Sequence, residues 1–268
     1  LFRSGISSTG AIINSSTTAA TISGNITLAA HSSVGGSHAV TISGVISGDS
    51  INLTKVGTST YTLTNTNTYT GDTTINTGTV KLTGNLNSAT DLVIGSSGTL
   101  DLQADLTVAT LDLDGTISNT AGTSSLIVSG ASSMQGSVTT TGTQTYTGAV
   151  TLTGNTTLAT TSAQVTFSNT INSEGSETNN LTVTASETEF NGIIGGGRTL
   201  GVIDINGTLD LNAAITNATS IDVSGTSDLG ANVTTSGTQT YSGAVTLSVD
   251  TTLTTTDSNI TFNCTLNS

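Results

Sequence analysis

Apolar residues alternate with threonine, asparagine and serine along most of the chain. Val150 and Leu152 flank Thr151, and Val165 and Phe167 repeat this spacing. A period of two is typical of a strand that has one apolar and one polar face. Glycine, asparagine and serine separate the alternating runs, which are about four to six residues long. The pattern therefore predicts short strands joined by tight corners, with no helix between them.

This alternating sequence occurs twice at a fixed distance. Residues 130–173 align without a gap with residues 225–268, a shift of 95 residues, and 25 of the 44 positions are identical. A long tandem repeat favours a coil of stacked turns, while an antiparallel sandwich is the alternative. If the shift holds five turns, each turn has roughly 19 residues, close to the usual size of a solenoid repeat.

The composition supports a coil of strands. Proline is absent, as expected if nearly every backbone N–H is needed for pairing with a neighbouring turn. Aromatic residues make up 3% of the chain, so the core must be filled mainly by leucine, isoleucine and valine. We expect the following residues of segment 39–84 to point inward: Ile42, Ile46, Ile51, Leu53, Tyr61, Leu63, Ile75, Val80 and Leu82.

The charge balance disfavours two classes of partner. Four basic residues stand against seventeen acidic ones, and the formal net charge is −13. Such a surface repels the phosphates of nucleic acids and of anionic membranes. No apolar run approaches the roughly 18 residues that a membrane-spanning segment requires. Because residue 1 is leucine rather than methionine, we expect the chain to be a piece of a longer protein.

Two stretches resemble known repeat families. The sequences LTK, TYTLT, NTYTGDTTIN and GTVKL within residues 53–82 resemble the passenger-associated repeat of bacterial autotransporters. The doubled GTQTY(T/S)GAVTL unit is similar to repeats of large bacterial exoproteins of the filamentous-haemagglutinin type. These resemblances imply a right-handed parallel β-helix that is exported by a bacterium and displayed on or shed from its surface, often as an adhesin.

We predict one continuous β-solenoid over residues 1–268. Its expected parts are lead-in turns (1–38), an autotransporter-type repeat (39–84), linking turns (85–129), two copies of one unit (130–173 and 225–268) and turns with longer loops (174–224). Within the last of these parts, SEGSETNN near Glu174 and IIGGGR near Arg198 indicate corners that are lengthened outward.

The best candidate for chemistry is a pair of carboxylates. Asp112 and Asp114 are two residues apart, so they share one strand face while Leu111 and Leu113 point inward. Outward carboxylates on a parallel β-helix can act on acidic polysaccharides or hold Ca²⁺, but glycosidic cleavage needs two carboxylates about 5–9.5 Å apart across a sugar site. The matching sequence at Asp210 has asparagine, Asn212, in place of the second acid. We favour a solvated acidic turn and predict no catalytic, metal or cofactor site.

Histidine and cysteine give no strong signal. His31 and His38 lie in Gly/Ser-rich sequence without a neighbouring acidic or cysteine cluster, so we expect both at exposed corners. Cys264 is the single cysteine and aligns with Asn169 in the first copy, which excludes an internal disulfide and leaves an intermolecular bridge as the lesser alternative.

Threonine arrays raise a separate hypothesis. Hydroxyls recur at period two in TYTLT (Thr60, Thr62, Thr64) and TNTYT (Thr66, Thr68, Thr70), as on ice-binding solenoids. We favour a structural role, because threonine is a good strand former with a polar surface. The Thr-x-Thr sites also do not recur at one fixed position in each turn.

The sequence thus predicts an adhesin-like stalk or scaffold, extracellular or on the bacterial outer surface, that is not an enzyme. Its expected partner is a component of a host or neighbouring cell surface or of the extracellular matrix, with end-to-end or lateral self-association possible. The alternative is a self-assembling extracellular filament or matrix protein. A polysaccharide-acting β-helix is the third hypothesis and depends on Asp112 and Asp114.

Overall fold

The computed structural model describes residues 10–268, and within them it contains strands, turns and corners but no helix. The strands are parallel and stack as a β-solenoid of about 13 turns. The predicted parallel β-helix is therefore confirmed, and the antiparallel sandwich is wrong. The chain forms two compact units, Leu1–Ser129 and Gly130–Ser268, which are described separately.

In unit one, each turn visits three faces, here called A, B and C. Face A contains β1 (Ile12–Asn14), β4 (Ser32–Gly36), β7 (Leu53–Lys55), the first parts of β9 (Thr73–Leu82) and β10 (Asp91–Leu102), and β12 (Thr110–Leu113). Face B contains β2 (Ala20–Ile22), β5 (Val40–Ile42), β8 (Thr60–Leu63), the later parts of β9 and β10, and β13 (Thr116–Ser118). Face C contains β3 (Ile26–Thr27), β6 (Ile46–Ser47), the bridge between Thr66 and Asn85, β11 (Leu106–Val108) and β14 (Leu126–Val128).

Unit two has the same construction, with faces D, E and F. Face D contains the first parts of β15 (Ser132–Thr140) and β17 (Val150–Thr160), β19 (Ile171–Ser173), Ile194, the start of β22 (Ile215–Val223), β24 (Val233–Thr235) and β27 (Leu253–Thr254). Face E contains the later parts of β15, β17 and β22, the first parts of β20 (Leu181–Phe190) and β21 (Leu200–Leu211), β25 (Gln239–Tyr241) and β28 (Ile260–Phe262). Face F contains β16 (Gln144–Tyr146), β18 (Gln164–Phe167), the later parts of β20 and β21, β23 (Ser227–Leu229), β26 (Val245–Leu247) and β29 (Leu266–Asn267).

The length of a turn varies with its corners. Paired residues on neighbouring turns are as close in sequence as Thr99 and Thr116 and as far apart as Thr156 and Leu181, so turns span 17 to 25 residues. This range includes the predicted value of roughly 19. The longest turn carries the exposed segment 174–178, and the next turn carries the exposed residues 196–198. Both predicted corner extensions therefore lie on the outside.

Inward side chains form columns along each face. Nearly all residues expected inward in segment 39–84 are buried, whereas Ile51 is half-buried at a corner. On face F, Tyr146 stacks on Phe167 with ring centroids 5.2 Å apart, and Phe167 stacks on Phe190 at 5.3 Å. In-register parallel pairing produces these stacks, because it places equivalent side chains of successive turns directly above one another.

The two sequence copies occupy different faces of unit two. Gln144 begins a strand of face F, but its counterpart Gln239 begins a strand of face E. Likewise, Val150 lies on face D and its counterpart Val245 on face F. Fourteen face positions separate the copies, so 95 residues make four and two-thirds turns of about 20 residues each. The expected five turns would be fifteen face positions, one more than the structure has. The second copy can begin on a different face because each face has the same strand-and-corner construction.

The repeated sequence keeps its internal contacts although its two copies lie on different faces. In both copies a buried glutamine donates from Nε2 to a carbonyl of the next turn and to a threonine hydroxyl just before it in the chain. The pairs are Gln144 with Ala159 O (2.8 Å) and Thr140 Oγ1 (3.1 Å), and Gln239 with Thr254 O (2.8 Å) and Thr235 Oγ1 (3.3 Å). The aromatic stack also returns, between Tyr241 and Phe262 at 5.4 Å.

A matched pair of glycines tests the tight stacking of corners. A Cβ added at Gly44 would overlap the backbone of Gly24 one turn away, whereas a Cβ added at Gly24 meets no atom within 4 Å. We predict that Gly44→Ala lowers the free energy of unfolding by about 1–3 kcal/mol. Gly24→Ala should be neutral or slightly stabilising, because it restricts only the unfolded chain. Urea unfolding followed by circular dichroism measures both, and equal effects would contradict the corner geometry.

Candidate functional site

The predicted carboxylate pair lies on the outside of unit one. Asp112 belongs to β12 and Asp114 follows this strand, and both side chains are exposed. Leu111 and Leu113 are buried, as the period of two predicted. Residues 10–268 contain no group of three or more histidine, cysteine, aspartate and glutamate side chains arranged to hold a metal ion. The polysaccharide hypothesis therefore still depends on these two carboxylates.

Asp210 belongs to an acidic column that the sequence did not reveal. It pairs in register with Glu189 on one side and Asp228 on the other, all on face F. Hydrogen-bond donors offset the crowding of like charges at both ends of the column. Thr166 Oγ1 donates to Glu189 Oε2 at 3.2 Å, and the hydroxyl of Ser248 donates to Asp228. Whether two residues share a column depends on the register between turns of different length. The period-two pattern of the sequence does not give this register.

The histidines and the cysteine lie at corners. His31 is exposed at a corner, as expected, and its Nδ1 accepts a hydrogen bond from the backbone N–H of Asn52 at 3.0 Å. His38 is half-buried rather than exposed, with Nδ1 3.0 Å from Ser37 Oγ. Cys264 is free and exposed.

The threonines of the two arrays point outward, and on face B the first array does not continue as a lattice. On face B, one column consists of Thr60, Thr79, Thr99 and Thr116 in register. The neighbouring column runs from Thr62 to Lys81, Asp101 and Ser118. The Thr-x-Thr pattern is therefore lost after one turn, which confirms that the sites do not recur at a fixed position. A stacked threonine column indicates a role in strand stability rather than an ice-binding surface.

The most unusual chemistry of unit one is inside it. Lys55 is 2% exposed and stands in an inward column between Val34 and Ile75. Its Nζ donates to the carbonyls of Val56, Gly57 and Thr77 at 2.9, 2.6 and 3.2 Å. Three carbonyl acceptors satisfy all three ammonium protons, so the charge can remain buried without an anionic partner. Burial nevertheless lowers the pKa of Lys55 to about 8.

Tyr61 packs beside this lysine. Lys55 Nζ lies 5.5 Å from the centre of the Tyr61 ring, within range of a cation–π interaction. The Tyr61 hydroxyl points at the carbonyls of Ile12 and Gly35, at 2.7 and 2.6 Å. Burial raises the pKa of Tyr61 to about 12. The side chain therefore remains neutral at physiological pH and ties three turns together.

A second series of buried hydrogen bonds lies in the same stretch. The Tyr69 hydroxyl lies 2.7 Å from Thr73 Oγ1, which lies 3.1 Å from Thr90 Oγ1. Thr90 in turn donates to the carbonyl of Gly71 at 2.9 Å. Burial raises the pKa of Tyr69, which keeps its hydroxyl available as a donor. The hydroxyls of Tyr69, Thr73 and Thr90 therefore all have hydrogen-bond partners inside the solenoid.

Asn67 supplies hydrogen bonds where face C lacks a regular strand. Its Oδ1 accepts from the backbone N–H of Ile46 at 3.0 Å. Its Nδ2 donates to the carbonyls of Asn65 and Asn85 at 3.0 and 3.1 Å. The asparagine thus substitutes for backbone pairing between successive turns. Lys55, Tyr61, Asn67 and Tyr69 are buried polar side chains of this stretch, and we call them together the buried polar network.

Comparison with known protein families assigns this stretch. Residues 53–82 match the passenger-associated-transport-repeat. This repeat belongs to the passenger domains of autotransporters. The match confirms the resemblance recognised in LTK, TYTLT and NTYTGDTTIN, and covers β7, β8 and β9. No curated protein and no solved structure matches the chain.

The passenger-associated-transport-repeat coincides with the buried polar network. Lys55, Tyr61, Asn67 and Tyr69 all lie within it. Their partners outside the match are the side chain of Thr90, reached through Thr73, and backbone groups of Ile12, Gly35, Ile46 and Asn85. The polar positions of the matched sequence therefore hold turns together, and the contacts leave none of these four side chains free to act at the surface. The resemblance of the doubled unit to filamentous-haemagglutinin repeats stays a prediction. Among residues 10–268, no helix is long and apolar enough to span a membrane.

Replacing the buried lysine should change how stability depends on pH. Burial depresses the folded-state pKa of Lys55 from 10.5 to about 8, so the unfolded state binds more protons between these values and stability rises with pH. Above pH 10 the raised pKa of Tyr61 acts in the opposite direction, because the unfolded phenol ionises first. Between neutral pH and pH 10 the free energy of unfolding should therefore increase by about 2 kcal/mol.

Lys55→Met should abolish this rise, and the urea midpoint measured at each pH detects it. Lys81→Met is the matched control, since Lys81 lies on β9 with its side chain only half-buried, and this variant retains Lys55. A rise of equal size in Lys55→Met and in the unaltered protein would show that the buried ammonium is not its source.

Proposed function

We propose that this chain is part of the passenger of an exported bacterial surface protein, where it acts as a rigid scaffold for attachment to cells or matrix. The observation that carries the proposal is the match of residues 53–82 to an autotransporter passenger repeat within a parallel β-solenoid. The repeat family supports export and surface display. The adhesin-like role is our own extension.

The bonding within each unit suits a scaffold. Backbone hydrogen bonds join successive turns along every face, for example Ser132 N to Ala149 O at 2.9 Å and Val150 N to Thr170 O at 2.8 Å. Aliphatic columns fill the interior, and the buried side chains of Lys55 and Gln144 are bonded to carbonyls of neighbouring turns. Each turn therefore restrains the next, and bending the coil would break many contacts at once.

Any specific recognition is best placed on the lengthened corners. Residues 174–178 and 196–198 are exposed and lie outside the regular strands. Loops on a regular scaffold commonly carry binding specificity, because they tolerate changes that the strands do not. With a net charge of −13, the expected partner is a protein or glycan of a cell surface or matrix rather than a nucleic acid.

Two double variants separate a scaffold from a binding face. Tyr146→Ala with Phe167→Ala removes an inward stack from β16 and β18, whereas Thr145→Ala with Thr166→Ala changes outward residues of the same strands. Bacteria displaying the full protein should lose attachment with the inward pair, because folding of the scaffold fails, and keep it with the outward pair. Surface labelling of intact cells by an antibody to the chain measures display in parallel.

Four results would count against the proposal. Antibody labelling only after permeabilisation would contradict surface display. Full attachment by the inward variant would contradict a scaffold role, and loss with the outward variant alone would make face F itself the binding site. Long uniform fibres formed by the purified chain in negative-stain micrographs would favour the filament alternative.

A further inference from the structure

Two asparagines of the chain precede a glycine, and the structure gives them opposite surroundings. They are Asn191, at the corner between faces F and D, and Asn206, inside β21. An Asn-Gly sequence lets the next backbone nitrogen attack the side-chain amide easily, because glycine has no Cβ to hinder the approach. Both asparagines are exposed and both glycines are half-buried. Access to solvent therefore does not distinguish the two pairs, but their hydrogen bonds do.

The backbone nitrogen that follows Asn191 is free. Asn191 N donates to Phe167 O at 2.8 Å, and Ile193 O accepts from Ile171 N at 3.1 Å. Both bonds join this corner to the preceding turn, and Gly192 lies between them. Within residues 10–268, Gly192 N makes no hydrogen bond. It can therefore approach the Asn191 side chain without first breaking a hydrogen bond of its own.

The side-chain amide of Asn191 has a donor at its oxygen. Asn191 Oδ1 accepts a hydrogen bond from Asn212 Nδ2, one turn further along the chain, at 3.0 Å. Such a donor stabilises the negative charge that develops on the oxygen when the amide carbon is attacked. Asn191 Nδ2, which would leave as ammonia, makes no hydrogen bond to the described residues. The nucleophile, the oxygen donor and the leaving group therefore meet at one exposed corner.

The surroundings of Asn206 oppose the same reaction. Gly207 N donates to Ser224 Oγ at 3.1 Å, so attack by this nitrogen must first break a hydrogen bond. Asn206 Nδ2 donates to Asp204 Oδ1 at 3.3 Å, which holds the leaving group in place. No described residue donates to Asn206 Oδ1. The pair also lies inside a continuous strand rather than between strands.

We propose that Asn191 converts spontaneously to aspartate and isoaspartate, and that this conversion loosens its corner with time. Hydroxide takes the proton of Gly192 N, and the nitrogen attacks Cγ of Asn191. An N–Cγ bond forms, the Cγ–Nδ2 bond breaks, and ammonia leaves with the electron pair and a proton from water. A second water molecule then opens the cyclic imide at either carbonyl. One opening gives aspartate, and the other gives isoaspartate, in which the main chain runs through Cγ.

Isoaspartate alters a corner that has little room. It adds one carbon atom to the main chain between Asn191 and Gly192. A Cβ added at Gly192 would already overlap the backbone of Asn169, one turn earlier. An inserted main-chain atom therefore displaces the backbone hydrogen bonds on either side of the corner. A scaffold that contains this corner weakens with age; this last step rests on the proposed function, whereas the conversion itself does not.

The test incubates the purified, folded chain at mildly alkaline pH and follows both sites by mass spectrometry after pepsin digestion in acid. Replacement of NH₂ by OH raises the mass of each peptide, and the two products elute separately. We expect Asn191 to react about ten-fold faster than Asn206, because each hydrogen bond that differs between the sites changes the rate by a few-fold. In the urea-unfolded chain the two sites should react at similar rates. Equal rates in the folded chain, or a faster rate at Asn206, would overturn the proposal.

Three variants separate the contacts from the Asn-Gly sequence itself. Asn212→Asp replaces the donor at Asn191 Oδ1 by an acceptor of the same shape, and should slow Asn191 several-fold while the rate at Asn206 stays the same. Ser224→Ala releases Gly207 N and should make Asn206 react faster. Aged protein should have a lower urea midpoint than Asn191→Gln protein aged in parallel, because glutamine does not readily form the imide.

An unchanged rate at Asn191 in the Asn212→Asp variant would overturn the proposal. Equal urea midpoints of the aged protein and the aged Asn191→Gln variant would overturn the loosening of the corner. Neither result bears on export, surface display or the scaffold role, which the attachment and labelling experiments test.

Discussion

The structure depends on the backbone hydrogen bond between one turn and the next. Within each unit, strands on all three faces pair in parallel with the turns before and after them. An interior turn must therefore supply both N–H groups and carbonyls to each neighbour: the N–H of Leu53 donates to Asp72 O of the next turn, and the N–H of Val56 donates to Val34 O of the previous one. The absence of proline from all 268 residues follows from this constraint, because proline would leave a carbonyl of the adjacent turn without its donor.

Corners are where this pairing is hardest to maintain, and side chains complete it there. Asparagine oxygens accept backbone N–H groups at several corners, while Gln144 and Gln239 donate to carbonyls from within the core. In the autotransporter-type segment the ammonium of Lys55 serves three carbonyls at once. At these places the buried polar side chains complete the backbone ladder, and their role is structural.

Much of the fold can be predicted from the sequence, because the information is local. Alternation places Val150, Leu152 and Leu111 inward, and the segment 53–82 carries enough motif to name its repeat. Register between turns is not local, since turns of 17 to 25 residues break any fixed period. The column of Glu189, Asp210 and Asp228 and the change of face between the repeat copies therefore required coordinates. The burial of Lys55 could not be predicted because lysine is usually exposed. Only the three carbonyls around its ammonium group, which the sequence does not reveal, allow it to be buried.

The displacement of the two copies by a fraction of a turn bears on how such a chain can evolve. A gene duplication whose breakpoints ignore the length of a turn would ruin most folds, since every later side chain would acquire new neighbours. Here the inserted segment simply meets another sheet of the same kind and forms its glutamine and aromatic contacts again. Unequal recombination can therefore lengthen or shorten the gene at almost any corner, and selection can adjust the size of the protein without redesigning its core.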